Sequence, residues 1–165
     1  MSFDGIEVDI HNTHLPPGVS RGVVKVHAFE AIRRRVDLER DRPRILCGDF
    51  NAPGAENDDG PLMGCGPDWP DDIRARWDRA DIGVFVNPEM RDVYREVHEQ
   101  GKPFPASHFT GRGGRRTPRR YDYIFASAEF ATEQCAYLTG WLEPPAGATP
   151  LSDHAAVEAC LSVSR

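Results

Sequence analysis

Leu46-Cys47-Gly48-Asp49-Phe50-Asn51-Ala52-Pro53, near the first third of this 165-residue chain, ends an apolar run on a glycine, a carboxylate and a carboxamide. With Arg44-Ile45 before it, the segment reads as a short buried strand meeting its loop. Side chains alternate along a strand, so Ile45, Cys47, Asp49 and Asn51 take one face. A carboxylate offers only acceptors, whereas an amide offers donors and an acceptor. Side by side at a strand mouth, Asp49 and Asn51 can hold a metal or a water and also donate to a substrate oxygen. The bland alternative is an Asp that opens a loop and an Asn in its turn.

Upstream, residues 20–40 read as a helix with Ser20 as its N-cap. Val26, Phe29, Ile32 and Val36 recur at three- and four-residue steps and form one apolar face. Lys25, Arg33, Arg34 and Arg40 fall on the other side, which predicts a solvated basic face. Asp41-Arg42-Pro43 stops the helix. Residues 5–15 read as a strand, because Ile6, Val8 and Ile10 alternate with Glu7, Asp9 and His11. The face of Ile10 continues to Asn12 and His14, and Leu15-Pro16-Pro17-Gly18 ends the strand. His11 and His14 point to opposite faces and do not chelate one ion. His14 is either a hydrogen-bonding or acid group of a site or a satisfied strand-end histidine. Strand, helix and strand with short connections predict an α/β layered domain.

Downstream, residues 53–73 are rich in Pro, Gly and Asp and read as loop; Glu56, Asp58 and Asp59 lack the spacing of an EF-hand. Helices are expected over 71–80 and 88–100, the second with Met90, Val93, Tyr94 and Val97 as its apolar face. Residues 101–120 read as a loop carrying Arg112, Arg115, Arg116, Arg119 and Arg120, mobile over 111–119. Such guanidinium groups either bind phosphate or form a solvated basic loop. Residues 120–127 read as a strand with Asp122, Ile124 and Ala126 on one face, where a carboxylate needs a partner. Residues 134–141 are a further strand and 144–149 a loop. Leu151-Ser152-Asp153-His154 then opens a last strand over 155–163. Asp153 and His154 are either metal ligand and base, or a turn with a neutral histidine.

One domain is expected from the length, and no run is apolar enough to span a membrane. Residues 1–5 show no signal-peptide pattern. The four cysteines are widely spaced, which argues against a zinc ribbon or a disulfide framework. Cys47 and Cys160 read as small buried hydrophobes, and a cytoplasmic setting follows. A net charge of −6 does not suggest a general nucleic-acid coat, so any anion site is expected to be local.

Asn12-Thr13-His14, Gly48-Asp49-Phe50-Asn51, Tyr121-Asp122-Tyr123-Ile124-Phe125-Ala126-Ser127 and Ser152-Asp153-His154 occur in that order. The series resembles the endonuclease/exonuclease/phosphatase superfamily, whose fold is deoxyribonuclease-I-like. The resemblance covers nearly the whole chain but only the C-terminal part of the family pattern. It lacks an upstream strand ending in Asn and a second that supplies a Glu metal ligand. What it implies is an α/β (α+β) fold, a β-sandwich flanked by helices with its N-terminal part missing. Residues 1–165 would then be a single, N-terminally truncated domain.

The implied chemistry is hydrolysis of a phosphodiester or phosphomonoester with Mg²⁺ or Mn²⁺, weakly held here. By resemblance, His154 is base or phosphate contact, Asp122 orients it, and Asp49 orients or deprotonates the attacking water. Asn51 and His14 donate to phosphoryl oxygens, Asn12 borders the substrate, and Asp153 with Asp49 supports the metal; if the arginine loop steers a phosphate, Arg115 and Arg116 bind substrate. The implied partner is a phosphate-ester substrate, nucleic acid among the candidates, with no membrane. The alternative is an inactive remnant that binds phosphate or a partner without turnover; a third reading is an α/β interaction domain with coincidental polar strand ends. Without an upstream sheet, the face of Ala155, Val157, Ala159, Leu161 and Val163 is expected to lack cover, which predicts a homodimer or a missing N-terminal partner segment.

Overall fold

The structure is a computed structural model and describes residues 2–3, 5–17, 22–38, 41–52, 55–57, 60–62, 70–85, 87–98, 105–112, 115–143 and 146–163. Its elements begin with β1 (Ser2–Phe3), β2 (Ile6–Glu7), β3 (Asp9–His14), α1 (Gly22–Leu38) and β4 (Arg44–Asp49). A short hairpin, β5 (Ala55–Asn57) and β6 (Gly60–Leu62), leads to α2 (Asp71–Phe85), β7 (Met90–Asp92) and α3 (Val93–Val97). The chain continues with β8 (His108–Arg112), β9 (Arg115–Arg119), β10 (Asp122–Ser127), β11 (Phe130–Leu138), a 3-10 turn (Thr139–Trp141) and β12 (Ala156–Val163).

A four-stranded sheet in the order β3-β4-β10-β7 carries the molecule. β3 runs parallel to β4, and β10 is antiparallel to both β4 and β7. Parallel neighbours need a crossover, and α1 supplies it. One sheet face offers Leu46, Tyr123 and Phe125 to Val26, Phe29 and Val36 of α1 and to Trp77, Val84 and Phe85 of α2. Phe50 sits among them, with ring centroids 5.6 Å from Phe85, 5.7 Å from Tyr123 and 5.7 Å from Phe125. The other face, with Ile45, Ile124 and Ala126, packs against the β11–β12 ribbon and the buried Val8, Val93, Phe130 and Cys135. Sheet on sheet, with α1 and α2 on the outer face, is the sandwich expected from the sequence.

Several elements differ from the sequence reading. Residues 5–15 do not form one strand: Ile6–Glu7 pairs with β1, Val8 drops into the core, and β3 starts at Asp9. Ile10 is consequently 43% exposed on a strand that pairs, among the described residues, with β4 alone. Residues 88–100 open as strand rather than helix. Met90–Asp92 pairs with β10, and Asp92 then caps α3 by accepting from the main-chain N–H groups of Tyr94 and Arg95. The second helix runs on to Phe85 because Val84 and Phe85 join Trp77 in the core. The region 101–120 contains the β8–β9 hairpin, with Thr110 opposite Thr117. Its strands are too polar to show a period-two apolar pattern. Residues 139–141 form the 3-10 turn instead of extending β11.

Lys25 does not lie on a solvated face; it is 2% exposed, whereas Arg33 and Arg34 are exposed as expected. Cys160 is exposed with Glu158 and Ser162 on the outer face of β12, and Cys135 is the buried thiol. Ala155 is buried, and Val157, Ala159, Leu161 and Val163 pack partly buried against the second core cluster. That face therefore finds its cover within the chain, through β10 and α3, which the sequence reading did not bring to it. Ser20, Arg40, Asp58 and Asp59 lie outside the described residues, as do the side chains of Glu56, Arg112 and Arg115. Among the described residues no helix is long and apolar enough to cross a membrane.

Candidate active site

Three strand ends meet at one rim. Register places His14 beside Asp49 in the β3–β4 pair and Asp122 opposite Asp49 in the β4–β10 pair. Gly48 permits the approach. It has φ +130°, and a Cβ there would lie 1.9 Å from the carbonyl oxygen of Thr13 and 2.9 Å from Asn12 Oδ1. Only glycine tolerates both the dihedral and the contact. Asn12 thus lies against the glycine, exposed, one pleat below His14.

Beyond Gly48, the alternation of side chains sends Phe50 into the aromatic core and leaves Asp49 and Asn51 half-buried on the other side. Asp49 accepts two bonds from Asn51, at 2.7 Å from the main-chain N–H and 2.7 Å from Nδ2. Asn51 adopts φ 48°, and its Nδ2 also donates to Leu15 O at 3.0 Å. Both amide hydrogens are then in use. In this arrangement Asn51 holds Asp49 rather than presenting a free donor. The carbonyl of Asn51 accepts from the buried Lys25 Nζ at 2.5 Å. His14 Nε2 stands 3.5 Å from Asp49 Oδ2.

Asp122 has the partner its buried face requires: His154 Nδ1 lies 2.8 Å from Oδ2. A carboxylate only accepts, so Nδ1 donates, and in the neutral ring the lone pair lies on Nε2. Burial pushes the His154 pKa down, but the hydrogen bond and charge of Asp122, with Asp49 and Asp153 behind it, outweigh burial and hold it above its ordinary value. Asp49 is also held above its ordinary value, first by burial and then by the charge of Asp122, against the lowering bond from Asn51.

Asp49, Asp122 and His154 each offer a ligand atom within 4.8 Å of the other two. Two facing carboxylates suit the charge of a divalent cation, and with the imidazole they supply three of the ligands such an ion would take. Asp153 belongs to a different group, with His108 and His154. The two residues expected to share the ion, Asp49 and Asp153, thus fall in separate groups joined by His154.

Of the two arginines expected to bind substrate, Arg116 is described. Its guanidinium lies 4.1 Å from the Phe109 ring centre and 4.0 Å from Glu143 Oε1. It borders a groove of about 410 Å³, with His108, Phe109, Leu142, Ser152 and Asp153. Arg120 does not belong with the loop arginines. It is 1% exposed and makes a two-pronged pair with Asp92 at 2.7 and 2.6 Å. Its Nε donates to Tyr137 Oη at 2.8 Å, and Tyr137 donates to the carbonyl of Asp122.

Sequence reasoning missed three participants. Ser107, fully buried, accepts at Oγ from the N–H groups of Tyr121 at 2.8 Å and Asp122 at 3.2 Å. Its own N–H and C=O bind Arg119 O and Ala155 N, both at 2.8 Å, so one residue ties the strand of Asp122 to that of His154. His108 stacks on Tyr121, with centroids 5.8 Å apart. Lys25 is the third. For Ser107 and His108 the only signal was a serine and a histidine inside a Gly- and Arg-rich stretch.

A family model described as Endonuclease/Exonuclease/phosphatase family matches residues 7–154. The chain belongs to that family, and its fold is deoxyribonuclease-I-like. Solved structures agree on the fold. D. rerio TDP2 complexed with a single-strand DNA product is 14% identical, with TM-score 0.68 over 98% of this chain and 59% of that one. A Bacteroides thetaiotaomicron mannosyl-6-phosphatase is 16% identical, with TM-score 0.58 over 96% of this chain and 52% of that one. The human Nocturnin catalytic domain with bound sulfate is 18% identical, with TM-score 0.56 over 98% and 49%. The chain therefore spans less than three-fifths of each of these structures. Among curated proteins none matches the sequence.

Proposed function

We propose that the chain carries the Asp–His site of a divalent-metal-dependent phosphoester hydrolase. The observation that carries this reading is the Asp122–His154 hydrogen bond of 2.8 Å, formed beside a second carboxylate, Asp49. A phosphodiester is anionic and repels a water nucleophile, so the site must supply charge, position and a proton acceptor. Asp49, with its pKa raised by burial, is a better proton acceptor than an ordinary carboxylate and is fixed by Asn51 to take the proton of the attacking water. His154, whose Nδ1–H is held by Asp122, donates from Nε2 to a phosphoryl oxygen in its protonated form. His14 supplies a second donor at the rim, and Asn12 and Arg116 border the substrate, with Arg115 on the same hairpin. Mg²⁺ or Mn²⁺, held by Asp49 with Asp122, would neutralise phosphoryl charge.

The single-strand DNA product in the TDP2 structure and the mannosyl-6-phosphatase neighbour support keeping nucleic acid and phosphomonoesters within the substrate class. A second reading is a phosphate-binding unit without turnover. It is favoured by the small donor group described, two carboxylates and an imidazole, against the near-octahedral oxygen set that Mg²⁺ demands. Hydrolysis of a generic phosphodiester in millimolar Mg²⁺ or Mn²⁺ separates the two. The hydrolase reading expects turnover that falls at least about a hundredfold in His154→Ala and in Asp49→Ala. Sulfate or phosphate binding that His154→Ala weakens, with no turnover, would favour the second.

A further inference from the structure

His108 and His154 oppose each other in an isolated antiparallel bridge. Directly opposed residues put their side chains on one face, and the two rings lie 4.5 Å apart, inclined by 32°. Their neighbours fix both tautomers. Nδ1 of His108 faces the main-chain oxygen of Asp153 at 2.9 Å, and a carbonyl only accepts, so this nitrogen carries the hydrogen. Nδ1 of His154 donates to Asp122 in the same way. In each neutral ring the lone pair is therefore on Nε2. Asp153 adds an exposed carboxylate, and the three residues each offer a ligand atom within 4.8 Å of the other two.

Two imidazoles and a carboxylate form a donor set for a borderline dication of the zinc class, whereas paired carboxylates suit Mg²⁺. The rings have the outer support such sites need, since each Nδ1–H is held by an oxygen acceptor that orients the ligand. The carboxylate group of Asp49 and Asp122 shares only His154 with this one.

We propose that His108, Asp153 and His154 form a binding site for Zn²⁺, and that its occupation withdraws His154 from phosphoryl chemistry. The second half rests on the functional reading above; the site itself does not. Zn²⁺ binding is measured by competition with a chromogenic chelator, and the ligand field by visible absorption of the Co²⁺ form. One ion per chain is expected. His108→Phe, which keeps a ring to stack on Tyr121, and Asp153→Asn, at an exposed side chain, should each weaken binding at least about tenfold. Asp49→Asn should leave it unchanged. Binding insensitive to His108→Phe and Asp153→Asn, or lost in Asp49→Asn, would overturn the site. In the turnover assay, Zn²⁺ should inhibit the unaltered chain and lose its potency in His108→Phe. Equal inhibition of both would overturn the second half alone. No turnover at all would remove the second half together with the functional reading, while the chelator titration still decides the site.

Discussion

The two halves of the rim are held by different physics. Asp49 and Asn51 sit on a corner anchored from below, by Phe50 in an aromatic cluster, by Gly48 against Thr13, and by the buried Lys25. Asp122, His154 and Asp153 sit on segments joined by main-chain hydrogen bonds to one serine and by the Arg120–Asp92–Tyr137 network. Packing builds the first half, and polar satisfaction builds the second. Substitutions should separate them by size of effect and by what they disturb.

The largest effect is expected from Gly48→Ala. A methyl group 1.9 Å from a main-chain oxygen, at φ +130°, leaves β3 and β4 no relaxed arrangement. A loss of more than about 4 kcal/mol follows, the range of substitutions that break a backbone. Denaturant unfolding measures it, and a loss below about 1 kcal/mol, the centre of ordinary substitutions, would show that the strands can part.

Phe50→Ala should come next, at about 3–5 kcal/mol for a fully buried aromatic residue. Ser107→Ala should cost less, about 1–3 kcal/mol, because it orphans two N–H groups without opening a large cavity. The comparison sharpens in what else moves. Ser107→Ala should shift the His154 imidazole resonances, since Asp122 loses one of its main-chain anchors. Phe50→Ala should act mainly on global stability. Equal disturbance of His154 by both would mean that the rim is a single packed unit after all.

That contrast also explains what the sequence disclosed. The corner of Asp49 was legible because packing leaves an apolar pattern: Leu46 and Phe50 inside, Asp49 and Asn51 outside. The apolar face of α1 was legible for the same reason. Lys25 was not, because a lysine on the polar side of a helix carries no mark of the carbonyl that will cover it. The β8–β9 hairpin was not, because its strands are polar and its pairing is non-local in effect, bringing His108 to His154. Asp122 announced that it needed a partner, and the order of motifs supplied His154. Arg120 announced nothing, since one arginine among five looks the same whether it faces a phosphate or Asp92.

The smallest effect, and the one that compares the halves most directly, is the pH dependence of stability. Asp49 is held above its ordinary value of 3.8, by burial first and then by Asp122. His154 is held above its ordinary value of 6.5, because the bond and charge of Asp122 outweigh the opposing effect of burial. In both cases the folded chain binds the proton more tightly than the unfolded chain. Each then contributes stability that is fully present below its unfolded pKa and is lost as pH rises through its folded pKa. The two contributions have the same sign but occupy separate windows, one opening above 3.8 and the other above 6.5. Other carboxylates titrate in the acid window, Glu30 in the opposite direction through its bond to Arg76, so the reading is taken as a difference. Stability of the unaltered chain minus that of Asp49→Asn should fall with rising pH chiefly in the lower window, with a smaller fall in the upper one where Asp49 supports the charge of His154. The same difference for His154→Gln should fall chiefly in the upper window. A His154 difference that rises with pH would mean that burial, not Asp122, sets the state of the imidazole, and the donor role given to its Nε2 would fail with it.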